Sequence, residues 1–308
     1  MMFGTDTKGV YAIAPTPFLP DGAVDYASID TMCDFYLDRG VDGLTILGIL
    51  GEAPKLTPEE SVAIVQRVLA RFTKPVVVGV SAPGFAAMKA LSGASMDAGA
   101  AGVMITPPAA MRTDDQIAGY YAQSVAQIGA DVPFVLQDHP LVTTVQMSPG
   151  VIRRIVEENP SCVMLKHEDW PGLDKISTLR GWQAKGEMRP ISILCGNGGL
   201  FLDFEMERGA DGAMTGYAFP DMLVDLVKRH QAGDNEGMHA LFDAHLPFLR
   251  YEHQSGIGLA VRKYVLMRRG AIAHANLRVP GPKMNDTTKA EVDGLLARLA
   301  KHDPRAAF

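Results

Sequence analysis

Short apolar runs alternate with longer amphipathic stretches from the N-terminus to His230. The apolar runs contain almost no polar alternation, which is typical of parallel strands that are covered on both faces. They predict eight strands, at residues 10–14, 43–47, 75–80, 102–106, 133–137, 162–166, 191–195 and 212–215. The stretches between them predict eight helices, at residues 26–39, 58–72, 85–98, 114–128, 148–158, 172–182, 200–208 and 220–230. This alternation predicts an α/β fold, a closed (β/α)8 TIM barrel.

Local signals at the ends of these elements agree with the pattern. Thr57 is a capping residue, Pro58 suits the first helical position, and Glu60 completes a capping box. A Gly-x-x-Gly phrase ends three helices and begins the next strands, starting at Gly40, Gly99 and Gly209. The first glycine suits the left-handed residue that closes a helix, and the second suits a tight turn into a strand.

The alternation of strand and helix signals stops after His230. Residues 236–251, 257–269 and 289–301 predict further helices, which are separated by loops that contain Gly and Pro. No low-complexity linker precedes them. We therefore predict a catalytic barrel over residues 1–230 and a helical appendage over residues 231–308 that packs on the barrel.

The composition narrows the possible partners of the protein. The chain has 308 residues, of which 47% are hydrophobic and 21% charged, so it can bury a full core. A net charge of −6 argues against nucleic acid or an anionic membrane as the main partner. No apolar run approaches the ~20 residues that span a bilayer. The N-terminus lacks the basic and apolar segments of a signal peptide, so we expect a cytoplasmic protein.

The cysteines and histidines do not indicate a metal site. Cys33, Cys162 and Cys195 share no metal-type spacing, and no group of histidines and carboxylates resembles a metal-binding motif. Cys162 and Cys195 lie in apolar runs, where we expect buried free thiols. The sequence therefore predicts no bound metal.

The active sites of (β/α)8 barrels lie at the C-terminal ends of the strands. That rule selects a short set of candidate residues that end or follow the predicted strands. They are Gly48, Ile49, Leu50, Gly51, Gln137, Asp138, Lys166, Glu168, Gly196 and Thr215.

Lys166 is the first candidate for chemistry. It ends an apolar run, so its amine is expected to point into the mouth of the barrel. Burial there favours the neutral amine, which is the form that attacks a carbonyl. A structural ion pair is the alternative that its position leaves open. Other lysines, including Lys175, fall on predicted helix faces where we expect them to be solvated.

The turn after strand two is the second candidate. It reads Gly48-Ile49-Leu50-Gly51, and its backbone amides could face inward and bind a carboxylate. An ordinary turn from strand to helix is the alternative. A carboxylate-binding turn next to an imine-forming lysine describes a site for a 2-keto acid.

The chain resembles the dihydrodipicolinate synthase/N-acetylneuraminate lyase family over nearly its whole length. The matching residues are Pro15-Thr16-Pro17-Phe18, Gly48-x-x-Gly51-Glu52, Leu56-Thr57-x-x-Glu60, Pro107, Pro140, Lys166, Gly196, and Gly209-Ala210-Asp211-Gly212 leading to Pro220. The resemblance implies a barrel that uses Lys166 as a Schiff base without a cofactor, acts on a 2-keto acid such as pyruvate, and assembles as a homotetramer.

The chain departs from the synthases of that family at the positions of their polar side chains. Two threonines are replaced by Ile49 and Leu50, a tyrosine supplied by a neighbouring subunit by Ala109, and a second tyrosine by Gln137. An arginine that binds the second substrate is replaced by Val142. None of these replacements carries a hydroxyl proton that could be relayed. We therefore expect poor synthase activity.

A second resemblance is to 2-keto-3-deoxy-L-arabonate dehydratases, which also have glutamine in place of the synthase tyrosine. The shared residues are Gln137-Asp138-x-Pro140, Lys166-x-Glu168, Gly212-Ala213-Met214-Thr215-Gly216, Phe219-Pro220-Asp221 and Gln254-Ser255-Gly256-Ile257. The turn with Gly48 and Gly51 does not match those enzymes. The resemblance implies dehydration of a 2-keto-3-deoxy sugar acid and leaves the sugar acid open.

The expected reaction begins with an imine between Lys166 and C2 of the substrate. Glu168 is the candidate base and acid for the later proton transfers, and Gln137 is expected to orient water or a substrate hydroxyl. Asp138, Gly196, Thr215 and the strand-two turn are expected to bind substrate. A pyruvate-dependent aldolase, a synthase-like condensation, and a barrel that binds keto acids without turnover are the alternatives.

Several other polar residues have simpler interpretations. Glu52 is expected at the start of a helix or as support for the site. His139 is expected to hold a loop or touch substrate, whereas His167 faces away from Lys166 if the strand continues. Glu252 and His253 are expected at an interface or a helix end.

Overall fold

The computed structural model describes residues 3–170 and 172–308. Its eight parallel strands are hydrogen-bonded in chain order, and the last strand pairs with the first, so the sheet is a closed barrel. The predicted fold class is therefore confirmed. The strands are β1 (Gly9–Ile13), β2 (Gly43–Ile46), β3 (Val76–Gly79), β4 (Gly102–Ile105), β5 (Phe134–Asp138), β6 (Cys162–His167), β7 (Ser192–Cys195) and β8 (Gly212–Ala213).

Helices connect the strands and continue beyond the last one. Within the barrel they are α1 (Tyr26–Asp38), α2 (Pro58–Arg71), α3 (Phe85–Asp97), α4 (Asp114–Ile128), α5 (Pro140–Thr143), α6 (Pro149–Glu158), α7 (Leu173–Ala184), α8 (Leu202–Glu207) and α9 (Pro220–Gln231). The C-terminal helices are α10 (Asn235–Glu252), α11 (Gly258–Arg268) and α12 (Asp286–Leu299). The short helix α5 was not predicted, because Pro140 begins a single turn that carries no helical periodicity of its own.

The predicted boundary signals are present in the structure. Thr57 accepts a hydrogen bond from the amide of Glu60, and the side chain of Glu60 accepts one from the amide of Thr57, which completes the capping box of α2. Gly40, Gly99 and Gly209 close helices with φ angles of 77°, 98° and 96°. L-residues with side chains rarely adopt these angles, so glycine is the natural residue at each position.

Strand β8 is shorter than predicted, although its pairing continues past its assigned end. The amide of Met214 donates to the carbonyl of Cys195, and the amide of Ile13 donates to the carbonyl of Thr215. Strands β5 and β6 instead end one residue later than predicted, because Asp138 and His167 still pair in register.

The two faces of the strands bury different sets of side chains. One apolar cluster collects alternate residues of the strands and fills the barrel interior; it includes Tyr11, Val77, Met104, Val135, Met164, Leu194 and Met214. A larger cluster lies between the strands and the helices. Since side chains alternate along a strand, residues two positions beyond Val135 and Met164 also point inward. These residues are Gln137 and Lys166.

The C-terminal helices pack against the barrel. Helix α10 contacts α9, α11 and α12, and also approaches the turn that follows β7. The division of the chain into residues 1–230 and 231–308 stays a prediction. Cys33, Cys162 and Cys195 are buried free thiols, as expected for the last two. Within the described chain, no helix is long and apolar enough to cross a membrane.

The seam between β8 and β1 leaves no room for a side chain at Gly212. A Cβ atom built there would lie 1.9 Å from the carbonyl oxygen of Gly9. We expect Gly212→Ala to lower the free energy of unfolding by about 3 kcal/mol, at the upper end of typical overpacking costs. The measurement is equilibrium unfolding in urea followed by circular dichroism.

Gly93→Ala is the control for this substitution. Gly93 lies in the middle of α3, and a Cβ atom there meets nothing within 4 Å. Alanine is a better helix former than glycine, so Gly93→Ala should leave stability unchanged or raise it by up to about 1 kcal/mol. Equal effects of the two substitutions would contradict the close approach at the seam.

Candidate active site

Lys166 and Gln137 lie side by side on the inner face of the barrel, at the ends of β6 and β5. The two residues pair in register across the neighbouring strands. Both side chains are buried, and that of Lys166 is only 3% exposed. The structure thus brings together the two residues that the sequence placed at the mouth.

Glu168 joins this pair directly after β6. Its amide donates to the carbonyl of Asp138, so the pairing with β5 continues past the end of β6. Glu168 lies two positions beyond Lys166 and therefore points to the same side of the sheet. One carboxylate oxygen, Oε2, lies 2.9 Å from Nζ of Lys166 and accepts a 2.7 Å hydrogen bond from Nε2 of Gln137. Lys166, Glu168 and Gln137 therefore form one buried cluster.

The ionisation of Glu168 reflects two opposed effects. Burial raises the pKa of a carboxyl group, whereas the ammonium of Lys166, His139 and the hydrogen bond from Gln137 lower it. The lowering effects are larger together, so the pKa of Glu168 lies below its ordinary value. The resting cluster is an ion pair in which the carboxylate can accept a proton.

A cavity of about 70 Å³ opens above this cluster. Seven of its lining residues are candidates from the sequence, namely Gly48, Ile49, Leu50, Gln137, Lys166, Glu168 and Thr215. The others are Ile13, His139, Asn197, Gly198, His253 and Arg262. The cavity therefore lies at the C-terminal ends of the strands, where the fold places active sites.

Three residues of the turn after β2, Gly48, Ile49 and Leu50, line the cavity. Its hydrogen bonds run from the amide of Gly51 to the carbonyl of Gly48 and from the amide of Glu52 to the carbonyl of Ile49. No backbone carbonyl of the described chain accepts a hydrogen bond from the amides of Ile49 or Leu50. The binding of a carboxylate by these two amides stays a prediction.

Gly51 lies in the same turn but does not line the cavity. Its carbonyl accepts a hydrogen bond from the hydroxyl of Thr16, and a Cβ atom at this position would lie 3.1 Å from the amide nitrogen of Leu47. Gly51 therefore fixes the conformation of the turn and does not line the cavity.

Glu52 supports this turn from below, as expected. It is buried and pairs with Nζ of Lys263 at 2.6 Å and with Nζ of Lys55 at 2.7 Å. Burial lowers the pKa of Lys263 to about 8, although Glu52 opposes that shift. The contact with Lys263 connects the turn to helix α11.

The structure does not bring Asp138 to the cavity, which corrects its assignment as a substrate-binding residue. Asp138 follows Gln137 and therefore points to the opposite face of β5. There it pairs with Nζ of Lys175 at 2.7 Å, and burial raises its pKa to about 6. The prediction of a solvated Lys175 was also wrong, because this lysine is buried between Asp138 and Asp169.

His167 lies on the same outer face, as the alternation of the strand predicted. It is fully buried, and burial lowers its pKa to about 4, so it is neutral in the folded protein. A Cβ atom at Gly172 would lie 2.3 Å from its Nε2 atom, which shows how tightly the ring is enclosed. His167 is a packing residue.

Gly196 contributes to the site through Glu168. A Cβ atom at Gly196 would lie 2.3 to 2.6 Å from the side chain of Glu168, so any larger residue would displace the carboxylate. Gly196 is absent from the cavity lining, and the predicted contact with substrate is replaced by this supporting contact.

Four polar residues of the cavity lining, Asn197, His139, His253 and Arg262, were missed or left undecided by the sequence. Asn197 donates from Nδ2 to the carbonyl of Glu168, and His139 lies with Nδ1 3.7 Å from Oε2 of Glu168. Burial lowers the pKa of His253 to about 4. The location of Asn197 directly after β7 was a usable signal, whereas nothing in the sequence near Arg262 or His253 pointed to the barrel mouth.

Among the residues that the structure describes, no three His, Cys, Asp or Glu side chains come together to hold a metal ion. The polar side chains that line the cavity are an amine, a carboxylate, amides, a hydroxyl, two imidazoles and a guanidinium. This donor set suits an organic acid that carries a carbonyl and a carboxylate.

Comparison with known proteins agrees with the fold and identifies the family. The sequence profile of the Dihydrodipicolinate synthetase family matches residues 6–299. A crystal structure of dihydrodipicolinate synthase from Rhodopseudomonas palustris superposes with a TM-score of 0.95 at 60% identity, covering 97% of this chain and 99% of that one.

Relatives with lower sequence identity carry two different activity names. L-2-keto-3-deoxyarabonate dehydratase of Azospirillum brasilense is 28% identical, covering 95% of this chain and 94% of the relative. A 4-hydroxy-tetrahydrodipicolinate synthase of Sorangium cellulosum is 29% identical, covering 95% of this chain and 96% of the relative. The match of the family profile to nearly the whole chain is decisive, and the protein is a lyase that belongs to the Dihydrodipicolinate synthetase family.

Proposed function

We propose that the protein dehydrates a 2-keto-3-deoxy sugar acid through an imine on Lys166. The observation that carries this proposal is the cluster in which Glu168 contacts both the amine of Lys166 and the amide of Gln137. A carboxylate beside the amine can move every proton that the reaction requires. The similarity to the Azospirillum brasilense dehydratase supports the same reaction class.

Imine formation begins with a proton transfer inside the resting ion pair. Glu168 takes a proton from Lys166, and the neutral amine attacks the C2 carbonyl of the substrate. Glu168 then returns this proton to the C2 oxygen, carries a second proton from the added nitrogen to the same oxygen, and the C2 oxygen leaves as water. The product is a protonated imine that draws electrons from C3.

In the dehydration step, Glu168 takes up a proton and releases it once more. Glu168 removes a proton from C3, and the C3–H electron pair forms the double bond of an enamine. The enamine then expels the C4 hydroxyl, which takes the proton from Glu168 and leaves as water. Hydrolysis of the unsaturated imine by water releases the keto product and restores Lys166.

Gln137 favours dehydration over cleavage of the C3–C4 bond. Cleavage requires a base that removes the proton of the C4 hydroxyl. An amide side chain donates and accepts hydrogen bonds but does not take up that proton. In our proposal, Gln137 holds the Oε2 atom of Glu168 and orients the leaving hydroxyl.

Synthase activity has weaker support, although several relatives carry that name. Condensation with a second carboxylic acid needs a cation to hold it, and Val142 at the position of the synthase arginine is apolar and 52% exposed. The hydroxyl groups that would relay protons are missing at Ile49, Ala109 and Gln137. From the family resemblance we further propose a homotetramer in the cytoplasm.

The imine should be trapped by borohydride. With pyruvate, reduction of the imine should leave a 1-carboxyethyl group on Nζ of Lys166, and Lys166→Ala should abolish the adduct in mass spectrometry of the digested protein. Lys175 and Lys263 serve as internal controls, because both are buried amines paired with carboxylates outside the cavity. An adduct on another lysine, or no adduct, would refute the proposed imine.

The products should distinguish dehydration from cleavage. We expect 2-keto-3-deoxy pentonates or hexonates to give a dehydrated keto product with little free pyruvate, measured by mass spectrometry. Glu168→Gln should reduce kcat by about 10²–10⁴-fold, the usual loss with a general base. Lys166 should still form the trapped adduct, more slowly, because water replaces Glu168 in the proton transfers of imine formation. Stoichiometric release of pyruvate by the wild type would instead identify an aldolase.

Glu205→Gln provides the matched control for Glu168→Gln. Glu205 is also a buried carboxyl group, its pKa raised to about 8 by burial, but it lies beside Cys195 outside the cavity. Its replacement should leave kcat unchanged. An equal loss in both variants would mean that the effect of Glu168→Gln is structural.

Condensation of pyruvate with aspartate semialdehyde should be very slow, because the chain lacks the cation and hydroxyls described above. We expect no growth when this protein replaces the synthase of a bacterial strain that requires lysine. Growth of that strain at normal expression would show that the departures at Gln137 and Val142 do not prevent synthesis.

A further inference from the structure

His253 lines the cavity but takes no part in the contacts of the catalytic cluster. It is partly buried and directly follows α10, where its amide donates to the carbonyl of Leu249. Within residues 3–170 and 172–308, neither of its ring nitrogens makes a hydrogen bond, and neither is fully enclosed. A neutral imidazole has one donor and one acceptor nitrogen, so this ring carries a donor and an acceptor that no protein group uses.

The end of α10 is fixed by Glu252, the residue before His253. Oε2 of Glu252 accepts a 3.0 Å hydrogen bond from the amide of Ala218, which follows β8. Its Oε1 accepts one from Nε of Arg262 at 2.6 Å. These two contacts join α10 to the barrel and to α11. The location of His253 at the cavity therefore depends on buried polar contacts of its neighbour.

Gly198 provides the space that the ring of His253 occupies. A Cβ atom at Gly198 would lie 2.7 Å from Nδ1 and 3.2 Å from Cγ of His253. Gly198 also has a φ angle of 67°, which L-residues with side chains rarely adopt. Both residues line the cavity. The turn after β7 and the end of α10 thus form one wall of the cavity.

This wall adjoins the catalytic cluster. Nδ2 of Asn197 donates to the carbonyl of Glu168 at 2.7 Å, and the next residue, Gly198, contacts His253. In the proposed reaction, Lys166 holds C2 and Glu168 acts at C3 and C4. The expected position of the C1 carboxylate is across the barrel, because β2 and β6 lie four strands apart in a ring of eight. The carbons beyond C4 therefore extend toward the wall that contains His253.

The charges of the cavity lining suit an uncharged group at this wall. The two lining cations, Lys166 and Arg262, are already paired with the carboxylates of Glu168 and Glu252. Burial lowers the pKa of both lining histidines, that of His253 to about 4, so both rings are neutral near pH 7. A hydroxyl group donates and accepts hydrogen bonds, as a neutral imidazole does. A second carboxylate would be desolvated there without an unpaired cation, which is costly.

We propose that His253 binds a hydroxyl group beyond C4 of the substrate and selects a sugar acid with an uncharged tail over one with a second carboxylate. The tail is the part of the substrate beyond C4. The inference rests on the proposed function and narrows its substrate to 2-keto-3-deoxyaldonates. His253 is a specificity residue in this proposal and transfers no proton in the reaction.

Three ligands of Lys166 isolate the contribution of the tail. Pyruvate has no tail, 2-keto-3-deoxyhexonate ends in a hydroxyl group, and 2-keto-3-deoxyhexarate ends in a carboxylate. The initial rate of borohydride trapping is measured by mass spectrometry over a range of concentrations of each. For the wild type, we expect the half-saturating concentration of the hexarate to be about 10- to 100-fold above that of the hexonate, as for burial of an unpaired polar group.

Three variants test the role of the ring. His253→Leu should raise the half-saturating concentration of the hexonate about 2- to 10-fold, the usual effect of one neutral hydrogen bond, and leave that of pyruvate unchanged. His253→Asn keeps a donor and an acceptor and should recover part of the loss. His274→Leu is the control, because His274 is also partly buried but lies in the loop after α11, outside the cavity. It should change neither ligand.

The outcomes separate this proposal from the proposed function. Because trapping reports binding, it tests His253 whether the enzyme dehydrates or cleaves the sugar acid. Absence of an adduct with all three ligands in the wild type would refute the imine and both proposals. Equal binding of hexonate and hexarate, or an unchanged hexonate dependence in His253→Leu, would refute the role of His253 alone. Equal weakening of pyruvate and hexonate in that variant would show that His253 acts through the fold and would also overturn the proposal.

Discussion

Closure of the sheet between β8 and β1 is the constraint on which the rest of the molecule depends. The seam is short, and its strands approach so closely that Gly212 cannot carry a side chain. Closure makes alternate side chains of all strands point into one interior, which apolar residues fill. Lys166 and Gln137 follow that apolar layer along their strands, so they meet at the mouth of the barrel.

Buried charges around the mouth occur as pairs of a cation and a carboxylate. The pairs are Lys166–Glu168, Arg262–Glu252, Lys263–Glu52 and Lys175–Asp138. A buried ion pair contributes little net stability, because desolvation offsets much of the attraction. What these pairs share is their location around the mouth of the barrel. The first two pairs border the cavity, and the last two fix the strand-two turn and the start of α7 behind it.

The sequence predicted the fold and the centre of the site because both depend on short-range pattern. Apolar runs locate the strands, and the end of a strand locates Lys166 and Gln137. The same rule misplaced Asp138, since two consecutive residues of a strand cannot both face inward. Its partner Lys175 looked solvated because a helix face becomes buried only through the strand that packs against it.

The location of Arg262 at the cavity could not be predicted from the sequence, because it depends on tertiary packing. Arg262 belongs to α11, well after the last strand, and its contact with the cavity depends on how the C-terminal helices pack on the barrel. The Glu252–Arg262 pair spans a helix end and a loop, so no helical spacing marks it. The predicted appendage therefore supplies part of the cavity wall, which composition and periodicity cannot reveal.

The loss of hydroxyl groups concentrates the proposed acid–base chemistry on Glu168, and the electrostatics of the site suit that role. Burial raises the pKa of this carboxyl group, and the positive charge on Lys166 lowers it. The protonated imine keeps that charge, so Glu168 stays ionised and can remove the C3 proton. Formation of the neutral enamine then removes the charge, and burial favours the protonated carboxyl group. Glu168 thus becomes an acid at the step at which the C4 hydroxyl needs a proton to leave.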